Sequence, residues 1–487
     1  MSTMKHQSLN VARHPGADAH SFSARKFTGS QSLWLDEIYG NGTPARHPLF
    51  GADKADVCVV GAGFTGLWTA IDLKRRDPAV EVVVLEADRC GSGPSGQSAG
   101  VVGTYMPKLS TLVQRLGTER ALWLARESAA VRGWLGTFCA EHGIDADFTQ
   151  HGWLWTASSK AQLRAWDETV KYAASLGEEP FLELDTEEIQ ARTGSPIHLA
   201  GIIDPQGARV QPAALVDGMA RVAEGLGVRI YEHSEVRGID TDRGRVTTAQ
   251  GAVDADTVVL ATGAFSRVPA LRRGFVTTTS DLVATAPIPE ELDASGYREC
   301  IAIDNSRLSM TGIVRTTGGR VVFGSAGAAL GYQSRPTAPF NRAEFDRMMK
   351  ALPAFVPGAA GAPITHAWSG MIDKSVDGLP SFGQLPGRTK VLYAVGFSGN
   401  GVGPCVLAGR MLGAMALGVD DEWAECGRLM KGTSVYPPEP FRSIGGSVVR
   451  AAVIRSENRK DLGLKVGTPT RIAASLAATS SWLPAGE

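Results

Sequence analysis

Three glycines in G-x-G-x-x-G spacing, Gly61, Gly63 and Gly66, are followed twenty residues later by a carboxylate, Glu86. This is the set of residues whose chemistry is most specific in the chain. The first glycine allows a sharp turn, the second lets backbone approach a pyrophosphate, and the third lets a helix pack closely on a strand. Val57, Val59 and Val60 precede them as an apolar β-branched run, which predicts a strand buried on both faces. Leu67, Ala70, Ile71 and Lys74 then recur at helical spacing, so a bound phosphate would meet free N–H groups and the positive end of a helix dipole. A second apolar strand, Val82–Leu85, ends at Glu86, where a carboxylate can accept from ribose hydroxyls. The glycine triplet alone is a weak signal. With both strands, the helix and the terminal acid, residues 56–86 form a complete dinucleotide-binding βαβ unit.

A chain of 487 residues holds two or three domains, or one nucleotide domain with a second threaded through it. Lys and Arg number 49 against 50 Asp and Glu, so no global charge points to nucleic acid or to acidic lipid. The apolar runs are of strand length, short of the roughly 20 residues that span a bilayer. The segment MSTMKHQSLNVARHPGADAH has no hydrophobic core, so no secretory signal is expected. Six scattered cysteines without a CxxC pair read as reduced thiols and set a cytoplasmic expectation. No histidine or cysteine spacing suggests a metal.

Further returns to the nucleotide sheet are legible downstream. In 204–236, Pro212 is placed to start a helix with Leu215, Met219, Val222 and Leu226 on one stripe, and the strand Val228–Tyr231 follows. A buried strand in 254–266 ends at Ala261-Thr262-Gly263, and 391–418 reads as strand, glycine-rich turn (Gly399–Gly403) and helix. Residues 282–288 and 320–326 read instead as antiparallel strands, and 111–143 as helical. The expected organisation is an N-terminal arm over 1–49 and a nucleotide domain from 50–110, 205–265 and 365–420. A second domain takes 111–204 and 266–364, and a tail with a basic helix takes 421–487.

The segments SLWLDE (32–37), VCVVGAGFTGL, VVVLEADRCGSGPSGQSAG, RVQPAALVDGMA, ATGAF, GIVRTTGGRVVFG (312–324), WSGMIDKSVDGLPSFG (368–383) and GFSGNGVG (396–403) come in an order that resembles the FAD-dependent D-amino-acid-oxidase superfamily. The resemblance lies nearest its glycine-oxidase, sarcosine-oxidase and γ-glutamylputrescine-oxidoreductase branches. It implies an α/β fold: a Rossmann-like FAD-binding domain of the glutathione-reductase type, interleaved with a mixed-sheet α+β substrate domain. It carries cofactor contacts onto Gly61, Gly63, Phe64, Thr65 and Gly66, onto Glu86 and Ala87, and onto Val236 near the adenine. Ser95, Gly96, Gln97 and Ser98 would lie near the flavin, with Ala261, Thr262, Gly263, Gly370, Gly399, Asn400, Gly401 and Val402 completing the set. Gln97 replaces an arginine of the relatives, and Gly370 stands where sarcosine oxidases carry the cysteine that bonds the flavin. No histidine lies in 91–100, so FAD is expected to be non-covalent.

The implied reaction takes a hydride from the carbon beside a neutral primary or secondary amine, or an amino acid, to the flavin; the imine then hydrolyses. O2 or an electron carrier would reoxidise the flavin. Arg315 aligns with an arginine that clamps a substrate carboxylate in relatives, against an equal reading as a surface strand arginine. Arg272 or Arg273 would be the basic residue near the flavin. Tyr105 and Trp368 would wall the amine site, though an aromatic of this kind is more commonly core, and His151 and His366 read as structural. The basic stripe in 447–469 packs on its own domain, or docks on a partner or a membrane surface. A homo-oligomer remains open. The rival classes are an NAD(P)H-dependent flavin monooxygenase, disfavoured by the single fingerprint, and a non-catalytic or tRNA-modifying FAD module, disfavoured by the neutral charge.

Overall fold

The computed structural model describes residues 32–331, 342–385, 390–432 and 434–477. The first 31 residues of the expected arm lie outside them. Two large sheets organise the chain. The first runs in the order β17 (Ser381–Leu385), β18 (Lys390–Val395), β11 (Gly251–Leu260), β1 (Gly51–Val60), β2 (Val82–Leu85) and β8 (Arg229–Tyr231). Strands β18, β11, β1, β2 and β8 are parallel, whereas β17 closes one edge antiparallel. β9 (Gly238–Asp240) and β10 (Arg245–Thr247) form a flap against the start of β11. Val57, Val59, Val82, Val84, Val258 and Val259 are all buried, as strands covered on both faces require.

The second sheet is mostly antiparallel, in the order β16 (Ile364–Lys374), β12 (Val276–Thr285), β15 (Val321–Leu330), β14 (Thr311–Arg315), β13 (Ala302–Asn305), β4 (Trp153–Ala157), β6 (Ala200–Asp204) and β5 (Leu182–Leu184). A two-stranded ribbon of β3 (Val101–Val102) and β7 (Ala208–Arg209) lies apart from both. Leu282 opposes Gly324, so the antiparallel strands read at 282–288 and 320–326 are neighbours.

The nucleotide sheet owes its geometry to small residues. Gly61 has φ +105°, and a Cβ there would sit 2.7 Å from the Ala261 carbonyl oxygen. At Gly66 a Cβ would lie 1.9 Å from the Gly61 carbonyl oxygen. The helix Phe64–Arg76 therefore presses its first turn onto the end of β1. Across its far side lies the helix Pro404–Leu417, whose Gly409 leaves no room for a Cβ beside Trp68.

Two expected boundaries shift. The nucleotide segment 365–420 divides: β16 pairs along its length with β12, Val276 opposite Lys374 and Thr285 opposite Ile364, and so belongs to the second sheet. β17, β18 and the helix Pro404–Leu417 stay with the first. Within the expected arm, the part from residue 33 on is built partly into the core. Leu33–Tyr39 forms a helix capped by the Ser32 hydroxyl, and Leu33, Trp34 and Leu35 are buried. Three consecutive apolar side chains in a first turn demand cover, and the 91–100 loop supplies it. In the tail, Phe441–Asp461 is a 21-residue helix whose Glu457 accepts hydrogen bonds from the Leu308 amide and the Ser309 hydroxyl, both at 2.5 Å. It therefore packs on the chain's own second sheet. Among the described residues no helix is long and apolar enough to cross a membrane.

Candidate active site

A cavity of about 840 Å³ runs between the two sheets, within the range of small-molecule and cofactor sites. On the nucleotide side its wall is made by Gly61, Gly63, Glu86, Val236 and the Ala261–Gly263 turn; on the other side by Leu282, Gly312, Val322, Gly324 and Gly370. The helix Phe64–Arg76 begins at Gly63 with no side-chain cap, and Pro404–Leu417 begins at Gly403 likewise. Uncapped helix N-termini leave N–H groups for an anion. Ser95 braces the first of these helices, its hydroxyl accepting from the Phe64 amide at 3.0 Å. A Cβ on Gly63 would strike that hydroxyl at 2.7 Å, so only glycine keeps the approach open.

Glu86 stands at the end of β2, its carboxylate accepting from the Ala62 amide at 2.7 Å and the Asp88 amide at 3.1 Å. Burial pushes its pKa up, against those backbone hydrogen bonds. A cradle of backbone donors and glycines with a carboxylate at the next strand end fits an adenine dinucleotide.

Most of the expected cofactor residues line this one cavity: Gly61, Gly63, Phe64, Thr65, Glu86, Ala87, Ser95, Gln97, Ser98, Val236, Ala261, Thr262, Gly263, Gly370, Gly399, Gly401 and Val402. Three do not. Gly66 serves the helix–strand contact. Gly96 is buried where a Cβ would meet the Gly91 carbonyl and Leu35. Asn400 braces the loop before Tyr105, donating to the Thr104 carbonyl at 3.0 Å.

The four expected catalytic side chains are placed elsewhere. Arg315 is buried in an ion pair with Asp293 at 2.7 Å and a hydrogen bond to the Tyr297 carbonyl. Side chains alternate along a strand, and Gly312 faces the cavity, so Arg315, three residues on, faces the opposite core with Ile313. Arg272 is exposed, and its carbonyl accepts from Arg442; Arg273 donates to the Tyr436 carbonyl. Tyr105 is core, its amide donating to Ser128 and its phenol pushed up by burial. Trp368 is fully buried, edge-on to Trp34, its indole N–H donating to the Gln97 carbonyl at 2.9 Å. His366 contacts Asp36 at 3.1 Å, and His151 accepts from the Cys300 amide, so both are structural.

Among the wall's titratable groups outside the expected set, three come from the second sheet. Asp373 and Lys374 end β16, and Asp304 sits in β13. Asp373 accepts from the Gly396 amide at 2.6 Å, and burial pushes it up to about 6. Burial pushes the Lys374 ammonium down. Asp304 accepts from the Trp153 indole at 2.7 Å, and burial pushes it up to about 7. The signal lay in the motif WSGMIDKSVDG, whose adjacent acid and base interrupt an otherwise neutral strand. The lining arginines, Arg237 and Arg267, lie by Val236, and Arg267 is 3.7 Å from Glu235.

The two-sheet architecture and its interfacial dinucleotide cradle define a flavoprotein oxidoreductase. Residues 56–415 match the family described as FAD dependent oxidoreductase (DAO), and the chain belongs to it. A probable oxidoreductase OrdL of Haemophilus influenzae is 26% identical over 430 residues, covering 86% of this chain and 92% of that protein. Gamma-glutamylputrescine oxidoreductase of Escherichia coli is 27% identical over 368 residues, covering 74% and 84%. The crystal structure of glycine oxidase from Geobacillus kaustophilus superposes with a TM-score of 0.63 at 22% identity, covering 76% of this chain and 96% of that one. At that identity the superposition shows the shared fold.

Arg315→Met should leave FAD content and the rate of flavin reduction unchanged while lowering stability by about 1–3 kcal/mol, because the Tyr297 carbonyl loses its buried donor. Urea unfolding followed by tryptophan fluorescence, with anaerobic stopped-flow reduction, separates the two effects. A large rise in substrate Kd without a stability change would return Arg315 to the substrate site.

Proposed function

We propose that the protein oxidises a primary or secondary amine, or an amino acid, to an imine that water then hydrolyses. Membership of the FAD-dependent family supports the cofactor. The observation that carries the reading is one cavity between the sheets, with a dinucleotide cradle on one side and, on the other, glycines, apolar side chains and the charged groups Asp304, Asp373 and Lys374. Bound FAD supplies a hydride acceptor there. This chain's own residues position and exclude. Gly61, Gly63 and the open helix N-terminus would hold the pyrophosphate, and Glu86 would hold the ribose. Leu282 and Val322 line that cavity with apolar surface, which limits the water that can share it with a substrate.

Gly370 offers no side chain for a covalent link, and a Cβ there would lie 3.0 Å from the Gln97 carbonyl oxygen; both facts support non-covalent FAD. Lys374, in place of Arg272, brings positive charge to the cavity wall, where it favours the anionic reduced cofactor. O2 or an electron carrier then accepts the electrons. Six unpaired, buried cysteines support a reducing compartment, such as the cytoplasm.

The test is anaerobic mixing of the holoprotein with a panel of secondary amines, primary amines and amino acids while the flavin absorbance is followed. Bleaching by an amine or amino acid is expected. Bleaching by NAD(P)H alone would replace this reading with a monooxygenase.

Glu86→Ala should weaken FAD binding by about one to two decades, the value of a charge-assisted hydrogen bond, and leave the rate of reduction of the loaded enzyme unchanged. Fluorescence titration of apoprotein with FAD measures it. Unaltered affinity would remove Glu86 from the site.

Lys374→Met should slow reoxidation of the reduced enzyme by about tenfold or more, the scale of losing one charge aimed at a developing anion, with reduction little changed. Double-mixing stopped-flow with O2 reads both steps. Equal reoxidation rates would leave Lys374 as packing alone.

A further inference from the structure

Asp304 is 4% exposed, lines the cavity, and has one carboxylate oxygen without a partner. Its Oδ2 accepts from Trp153, and its Oδ1 accepts from no described residue. The reason lies in the register of β13 against β14. Asp304 opposes Gly312, and a Cβ on Gly312 would come within 2.8 Å of Oδ1. Because residue 312 is glycine, and glycine also lines the cavity there, Oδ1 opens onto the ligand space.

The neighbouring strands bring no cation to it. β4, on one side, is Trp-Leu-Trp-Thr-Ala; on β14 the sole charge is Arg315, which faces away to Asp293. Asp373, the buried carboxylate that the second sheet's β16 brings to the wall, is occupied by the Gly396 amide. A buried carboxylate with an open oxygen is costly unless a cation or donor meets it.

We propose that Asp304 is an anionic subsite for a protonated nitrogen of the substrate other than the nitrogen oxidised, so that the cavity selects amines bearing a second, cationic nitrogen. The inference rests on the amine-oxidising reading above. Hydride leaves a carbon only beside a nitrogen with a free lone pair, so an ammonium held in place is not the reacting one. Nor does Asp304 strip the proton: burial lifts it to about 7, still about three units below an alkylammonium of the lysine kind. The pair stays charged. Leu308 and Met310, from the connection between β13 and β14, line the same cavity and supply apolar cover for the intervening carbon chain.

The test compares 1,5-diaminopentane with 1-aminohexane, in which a methyl replaces the distal ammonium, by anaerobic reduction of the holoenzyme. Wild type should favour the diamine in the ratio of reduction rate to Kd by about ten- to a hundredfold, the worth of one charged hydrogen bond. Asp304→Asn should abolish that preference by lowering the diamine's ratio of reduction rate to Kd to the level of the monoamine's. Gly312→Ala, which crowds Oδ1 without changing charge, should shrink the preference in the same direction. In wild type the preference should grow as pH rises through about 7, where Asp304 ionises, and in Asp304→Asn it should be flat across that range.

Equal use of the two amines by wild type, or a preference that survives in Asp304→Asn, overturns the subsite while the amine reaction stands. Failure of every amine and amino acid to bleach bound FAD overturns the underlying function instead.

Discussion

The contact between the carbonyl of Gly61 and the bare Cα of Gly66 is the constraint from which the rest of the site follows. It forces the first turn of the helix Phe64–Arg76 to sit directly on the end of β1, so that the helix axis aims at the space beyond the sheet. The same Gly61, at φ +105°, abuts the carbonyl of Ala261 at the end of β11. Two parallel strands and one helix therefore terminate within a backbone's width of one another. No side chain larger than hydrogen fits at either glycine without a clash, and the helix start they hold faces the same cavity as Glu86. The anion site is thus a product of close packing, with the charge supplied by backbone dipoles.

Holding that cradle against the second sheet is the work of the 91–100 loop. Four successive residues in it are tied to three different elements. Ser95 takes the Phe64 amide; the Gly96 carbonyl accepts from the Ser32 hydroxyl at 2.6 Å; the Gln97 carbonyl accepts from Trp368; and the Ser98 carbonyl accepts from the Trp34 indole at 2.8 Å. Trp368 belongs to β16 in the second sheet, and Trp34 to the N-terminal helix, and their rings meet edge to face. One short loop thus carries hydrogen bonds to the nucleotide helix, to the second sheet and to the helix Leu33–Tyr39. The aromatic pair acts as a strut that sets the width of the cavity, which explains why it is buried beside the site without reaching into it.

The legible parts of the sequence were those governed by local rules. The βαβ unit, the strand ends at Ala261 and the glycine turn before Pro404 were readable because turn chemistry and burial on both faces leave strong marks in few residues. The N-terminal helix was not, because Leu33, Trp34 and Leu35 carry no sign of what will cover them; that partner lies sixty residues on. Arg315 misled for a different reason. Its strand was identified, but which face each residue presents depends on register, and a count of three from Gly312 turns the guanidinium away from the ligand. Lys374 was hidden by the boundary placed at 365: assigned to the nucleotide domain, the end of β16 had no reason to face a substrate. Asp304 becomes meaningful only through its cross-strand partner, a pairing no single-sequence pattern gives.

The charges of the second sheet then separate scaffold from site. Arg132 meets Asp204, and Arg209 meets Asp147, so these buried cations have their counterions within the chain. Asp304 has only an indole N–H. Its folded-state pKa of about 7 lies above the ordinary carboxylate value of 3.8, which means the folded protein binds that proton more tightly than the unfolded chain does. The sign is destabilising: stability falls as pH climbs from about 4 to about 7, by roughly 4 kcal/mol in all at 1.36 kcal/mol per unit. An uncharged asparagine would keep the Trp153 bond without that penalty. A fold that pairs Arg132 and Arg209 with acids, yet keeps this carboxylate open beneath a glycine, has placed the cost where a bound cation removes it. Ligand binding and stability are then linked, and an occupant with a positive nitrogen both relieves the buried charge and is held by it.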